Sequence, residues 1–86
     1  MGEVESKMLA YIQSRLAKGA LSVSAADIMN AVLPSEHPES RYRPAYRHGL
    51  DRLERRNVIQ GINDPNGNRH YFIGPWSAEL EASLGV

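Results

Sequence analysis

The chain contains no cysteine, which excludes a disulfide framework, a thiolate metal site and a cysteine nucleophile. It fits a reducing cytoplasm, where disulfides are rare. No apolar run approaches the roughly 20 residues that a membrane helix requires. The first residues, Met1-Gly-Glu-Val-Glu-Ser-Lys7, lack the basic-then-apolar order of a signal peptide. A soluble, cytoplasmic protein with no membrane partner is therefore expected. No G-x-S-x-G, phosphate-binding glycine loop or dinucleotide turn occurs, and His48 with Asp51 is an ordinary i,i+3 helix pair. His37, His48 and His70 with Glu36 and Glu39 form no metal-ligand spacing. The expectation is a protein without cofactor or metal, and not an enzyme. At 86 residues there is room for one domain with a thin core.

Net charge is also missing: ten basic residues balance ten acidic ones. The balance hides a segregation. Residues 41–70 hold Arg41, Arg43, Arg47, Arg52, Arg55, Arg56 and Arg69 against Asp51, Glu54 and Asp64, a net of +4. The remainder holds Lys7, Arg15 and Lys18 against seven carboxylates, a net of −4. A dipolar molecule of this kind can present one face to a polyanion. Its basic side is built from arginine, whose fork suits phosphate and guanine better than lysine does. The alternative is segregation on a solvated surface without consequence.

Along the chain, Met8, Leu9, Ile12 and Leu16 recur at helical spacing and predict a first helix over about 5–18 that stops at Gly19. Ala20–Val23 alternates as a short strand would. Ser24 is placed to cap a second helix over about 24–33, with Asp27 in its first turn and Pro34 at its end. Pro34–Ser40 reads as a loop, longer than the turn of a strict helix-turn-helix. A third helix follows over about 41–57, with either Ser40 as its N-cap or Pro44 as its first residue. Tyr46, Leu50, Leu53 and Asn57 share its apolar face, beside Gly49, which permits close helix approach at a cost of roughly 1 kcal/mol relative to alanine. Arg41, Ala45, His48, Arg52 and Arg55 fall opposite, with Asp51 at the edge and Arg47 on a flank. Val58–Ile62 and Arg69–Ile73 are strand-like around a polar turn, Asn63–Asn68, and predict a hairpin over 58–73. In the tail, 74–86, Gly74-Pro75 breaks the strand, and Ser77 can cap a short helix through Leu84 with Trp76 and Leu80 packing back.

The order is helix, short strand, helix, helix, hairpin, short helix. This predicts an α+β winged helix, a three-helix core with a small antiparallel sheet, one β-hairpin wing and a short C-terminal helix. The pattern Tyr46-x-x-x-Leu50-x-x-Leu53-x-x-x-Asn57-Val58-Ile59, then a turn and Arg69-x-Tyr71-x-Ile73, resembles winged helix-turn-helix regulators, most of all the PadR-like and ferric-uptake-like repressors. It covers about residues 41–73. Asn57 stands where glycine is usual, and asparagine tolerates the left-handed conformation.

The resemblance implies that the third helix enters the major groove of double-stranded DNA. Carried over by position, Arg41, Ala45, His48 and Arg52 face base edges or phosphates, Arg43 and Arg47 flank and touch phosphates, and Arg55 adds charge to the same face. Arg69 with Asn66, Gly67 and Asn68 forms a wing tip reaching phosphate or minor groove, or else Arg69 is a cross-strand partner within the hairpin. The implied function is that of a transcriptional regulator or a phage- or plasmid-type accessory factor. One such unit reads a short site, so a homodimer is a possible partner, through the first helix or the Trp76–Val86 tail. The rival expectation is a winged-helix adaptor or inhibitor that binds a protein partner and no DNA.

Overall fold

A computed structural model describes residues 2–33 and 43–85. These residues form an α+β fold of four helices and one three-stranded antiparallel sheet. The expectations for Pro34–Ser40, Arg41 and the Ser40 cap lie outside the described residues.

Helix α1 spans Glu3–Ala17, two residues earlier than expected. Glu3 and Glu5 lie in its first turn, where the helix dipole favours carboxylates. It closes at Gly19, whose φ of 104° is open to glycine at no steric cost. Gly19 N–H donates to Leu16 O at 3.1 Å and Ala20 N–H to Arg15 O at 3.1 Å, which satisfies two of the helix's last carbonyls. Strand β1 is only Val23–Ser24, which overlaps the expected strand Ala20–Val23 at Val23 alone. Ser24 then caps helix α2, Ala25–Val32, with its Oγ accepting from Asp27 N–H at 3.1 Å.

Helix α3 spans Arg43–Arg55 with Pro44 in its first turn, where the missing N–H costs nothing. Its expected end at Asn57 is corrected. Asn57 adopts a φ of 60° and sits exposed beyond the helix, not on the buried face. Asn57 N–H donates to Glu54 O and Val58 N–H to Leu53 O, both at 3.0 Å. The tight stop comes from the left-handed residue.

The hairpin is also shorter than expected. Strand β2 is Gln60–Asn63 and strand β3 is Arg69–Phe72; Val58, Ile59 and Ile73 fall outside the ladder. Strand order is β1-β3-β2, with Tyr71 opposite Val23 on one side and Gly61 on the other, and Asn63 opposite Arg69. The turn is organised by one carboxylate: Asp64 Oδ1 accepts from the N–H groups of Asn66 and Asn68, each at 2.9 Å. Gly67 completes it at a φ of 85°.

Because successive strand residues point to opposite faces, Tyr71 and Phe72 enter different clusters. Tyr71 joins Met8, Ile12, Ile28, Met29, Leu50, Leu53 and Ile59 in the main core between the sheet and the first three helices. Phe72 packs with Ile62 and Leu80 beneath helix α4, Ala78–Ser83, on the other face. Ser77 caps α4, its Oγ accepting from Leu80 N–H at 3.1 Å. Leu80 packs back as expected. Trp76 does so only in part: it meets Phe72 edge-on, donates to Glu81 Oε2 and remains 51% exposed. Gly49 lies where α3 crosses α1. A Cβ there would stand 2.6 Å from Met8 Cε, so the absence of a side chain allows the two helices their close approach.

Candidate functional site

With Tyr46, Gly49, Leu50 and Leu53 buried, the rest of α3 divides into two flanks and an outward ridge. The flank toward α1 carries Arg52. The expectation that Arg52 faces outward to nucleic acid is corrected by its partner. Its Nε donates to Glu5 Oε1 at 2.7 Å, and Arg56, just past the helix, reaches Glu5 Oε2 at 3.4 Å. Glu5 is 5% exposed, whereas the Arg52 side chain is 47% exposed. A buried carboxylate needs its charge compensated, so the two arginines are held by α1. The hydrogen bond from Arg52, with the charges of Arg52 and Arg56, keeps the Glu5 carboxyl below its ordinary pKa against the opposing effect of burial.

The flank toward the hairpin carries Glu54. Its carboxylate takes a two-pronged bond from Arg69, Nε to Oε1 at 3.2 Å and Nη2 to Oε2 at 2.5 Å. Arg69 Nη1 also donates to Asn63 Oδ1 at 3.0 Å. Arg69 is therefore not at the wing tip. It folds back to tie β3 to α3 and to its cross-strand neighbour, the second of the two roles expected for it. The bond to Glu54 strengthens its hold on the proton and raises its pKa further. The pair crosses over Gly61, where a Cβ would stand 2.6 Å from Glu54 Oε1 and 2.7 Å from Arg69 Nη2.

The outward ridge carries Arg43, Ala45, Arg47, His48, Asp51 and Arg55, of which Ala45, Arg47, His48 and Arg55 are exposed. None of Arg43, Arg47 and Arg55 has a carboxylate within ion-pair distance among the described residues. Ala45, seven residues before Arg52 on α3, shares that residue's side of the helix. Arg43 and Arg47 also line a cleft of about 590 Å³ shared with Ser24 of β1, Met29 of α2 and Asn68 and Tyr71 of the hairpin. Tyr71 lines that cleft with its phenol pKa raised, by burial first and then by the negative charge of Asp51 and Glu54.

The exposed hairpin tip, Pro65–Asn68, bears no charged side chain. His70, whose role was open from sequence, points away from Arg69 and meets Asp64 Oδ2 at 2.9 Å. That bond, with the N–H groups of Asn68 and Asn66, holds the Asp64 carboxyl below its usual pKa. The surface can therefore offer cations from α3 and hydrogen-bonding groups from Asn66 and Asn68.

Three features escaped sequence reasoning. Glu5 lies in the first turn of α1, where the helix dipole alone would favour a carboxylate, and its partners lie 47 and 51 positions away, with no local signal of pairing. The Glu54–Arg69 bond spans 15 residues and depends on Gly61. Asp64 as organiser of the turn was legible in principle, since aspartate at a turn start bonds the N–H groups that follow. Among the described residues, no group of three or more His, Cys, Asp or Glu could hold a metal, and no helix is long and apolar enough to cross a membrane.

Comparison with family models, curated proteins and solved structures returns no match to this chain.

Proposed function

We propose that this chain is a winged-helix DNA-binding protein, a regulator or accessory factor that lays the outward ridge of α3 in the major groove of duplex DNA. The observation that carries the reading is the split among the arginines. Three are held by carboxylates, while Arg43, Arg47 and Arg55 lie along one ridge without such a partner among the described residues. The element order also supports it, since the hairpin follows α3 directly and borders the same cleft. The wing would contribute hydrogen bonds from Asn66 and Asn68 and no charge. His48, exposed on the ridge, would lie beside base edges.

The test is anisotropy of labelled mixed-sequence duplex DNA, titrated with the protein at several salt concentrations. Three arginines at phosphates give a log–log salt slope of about −3, at roughly −0.9 per neutralised phosphate. Absence of binding at low salt overturns the proposal.

A second reading rests on a different surface. Leu21 and Ile73 are 44% and 41% exposed, and Trp76 is half exposed. In that reading these side chains would form the contact with a protein partner. An adaptor of that kind tolerates loss of Arg47 and Arg55 but not of Trp76.

A further inference from the structure

One carboxylate stands where a purely phosphate-binding ridge would have none. Asp51 lies one helical turn after Arg47 and one before Arg55, spacings at which aspartate and arginine ordinarily pair. It pairs with neither within 4.0 Å, nor with any other cation among the described residues. Its position is central. It borders the cleft toward α2 and the hairpin, the recess above Glu54 and Arg69, and the hollow formed by Pro44, Arg47 and His48.

A carboxylate at that place repels phosphate, so it lowers affinity for DNA in general. It gains only where it meets a hydrogen-bond donor. In the major groove, guanine and thymine present acceptors at their outward edges. Adenine pairs its amino donor with the N7 acceptor beside it. Cytosine's own edge presents the N4 amino group with no acceptor beside it on the same base, and so offers the donor that an acceptor-only side chain can use. Arg47 and Arg55 lie about 6 Å to either side along the helix axis, a span that lets them hold flanking phosphates or guanines while Asp51 faces a base.

We infer that Asp51 is a specificity-determining residue of this surface, accepting a hydrogen bond from the N4 amino group of a cytosine in the major groove. The inference rests on the DNA-binding reading and adds to it a base preference. Discrimination then comes from a repulsive element as much as from an attractive one, since sequences lacking cytosine at that position leave a carboxylate desolvated and unpaired.

The experiment is selection from a randomised duplex pool with the full chain and its Asp51→Ala and Asp51→Asn variants, followed by anisotropy on selected duplexes. Thermal melts serve as a check that the variants fold. Wild-type protein should enrich a C·G pair at one position, and C→T there should weaken binding on the order of tenfold. Asp51→Ala should bind both duplexes within about twofold of each other and bind mixed-sequence DNA more tightly. Asp51→Asn should move the preferred base from cytosine to adenine, because an amide both donates to N7 and accepts from N6. Two outcomes overturn the inference while leaving DNA binding intact. One is a wild-type pool without an enriched cytosine. The other is variants that tighten binding to every sequence with base preference unchanged. Failure of the wild type to bind any duplex at low salt is a separate result and removes the DNA reading itself.

Discussion

Arginines that look alike along the chain belong to two populations in the fold. Arg52, Arg56 and Arg69 are fastened to Glu5 and Glu54 and hold α3 against α1 and against the hairpin. Arg43, Arg47 and Arg55 lie on the ridge between those fastenings. The difference is one of neighbours and not of residue type. Arg52 and Arg55 are three apart on one helix, yet among the described residues only Arg52 reaches a carboxylate of another element. A basic helix is thus both anchored and displayed: the charges on its flanks orient it, and those on its ridge remain available to a ligand.

The comparison is sharpest between adjacent faces of α3. Leu53 is fully buried in the main core, so Leu53→Ala should cost about 2–5 kcal/mol, read from urea or thermal melts. Arg55→Ala on the exposed ridge should leave stability within about 0.5 kcal/mol. Equal effects would mean that the ridge is not a free surface.

The next effect separates the two arginine populations by function. Arg47→Ala and Arg55→Ala should each weaken duplex DNA binding and reduce the salt slope by about one. Arg52→Ala should lower the melting temperature and leave the salt slope as it is. If Arg52→Ala changes the slope as much as Arg47→Ala does, the division is broken.

Acid pH tests the fastenings. The carboxyls of Glu5 and Asp64 both titrate below their ordinary values in the folded protein. Each therefore contributes stability that is fully present above the unfolded pKa, near 4 for these side chains, and is lost as pH falls through the lower folded value. Melts between about pH 6 and pH 2 should show that loss on the acid side of the window. Glu5→Gln should be less stable than wild type at neutral pH, and the gap should close as the solution is acidified. A gap that does not change with pH would mean that Glu5 stabilises by packing.

Gly61→Ala should have a small effect on stability. Its Cβ displaces the Glu54–Arg69 pair, and loss of a partly exposed ion pair costs at most about 1 kcal/mol. DNA affinity should be unchanged unless the freed Arg69 reaches the ligand, in which case affinity and salt slope rise together.

The elements themselves were readable from local chemistry. Ser24 and Ser77 announced two helix starts, and both serines cap. Gly19 announced the stop of α1 and takes a positive φ; Asn57, expected on the buried face of the third helix, takes one just past its end. The spacing of Met8 and Ile12, and of Tyr46, Leu50 and Leu53, located the buried faces of α1 and α3. Gly49 signalled a close helix crossing. These features depend on residues within a turn or two of one another, so the order of helices and strands was determined by the sequence alone.

Which charges are spent and which remain was decided only by the tertiary structure. Helical periodicity put Arg52 opposite the core, and nothing within a few residues reveals that α1 brings a buried Glu5 to meet it. Alternation in the hairpin put Arg69 near a turn, and nothing local reveals that Gly61 opens a path for it to Glu54. An ion pair forms where the fold brings two side chains within a few ångströms, and the partners here lie 15 to 51 residues apart. Local pattern determines which face a residue occupies; only the packing of one element on another determines whether its charge meets a partner there.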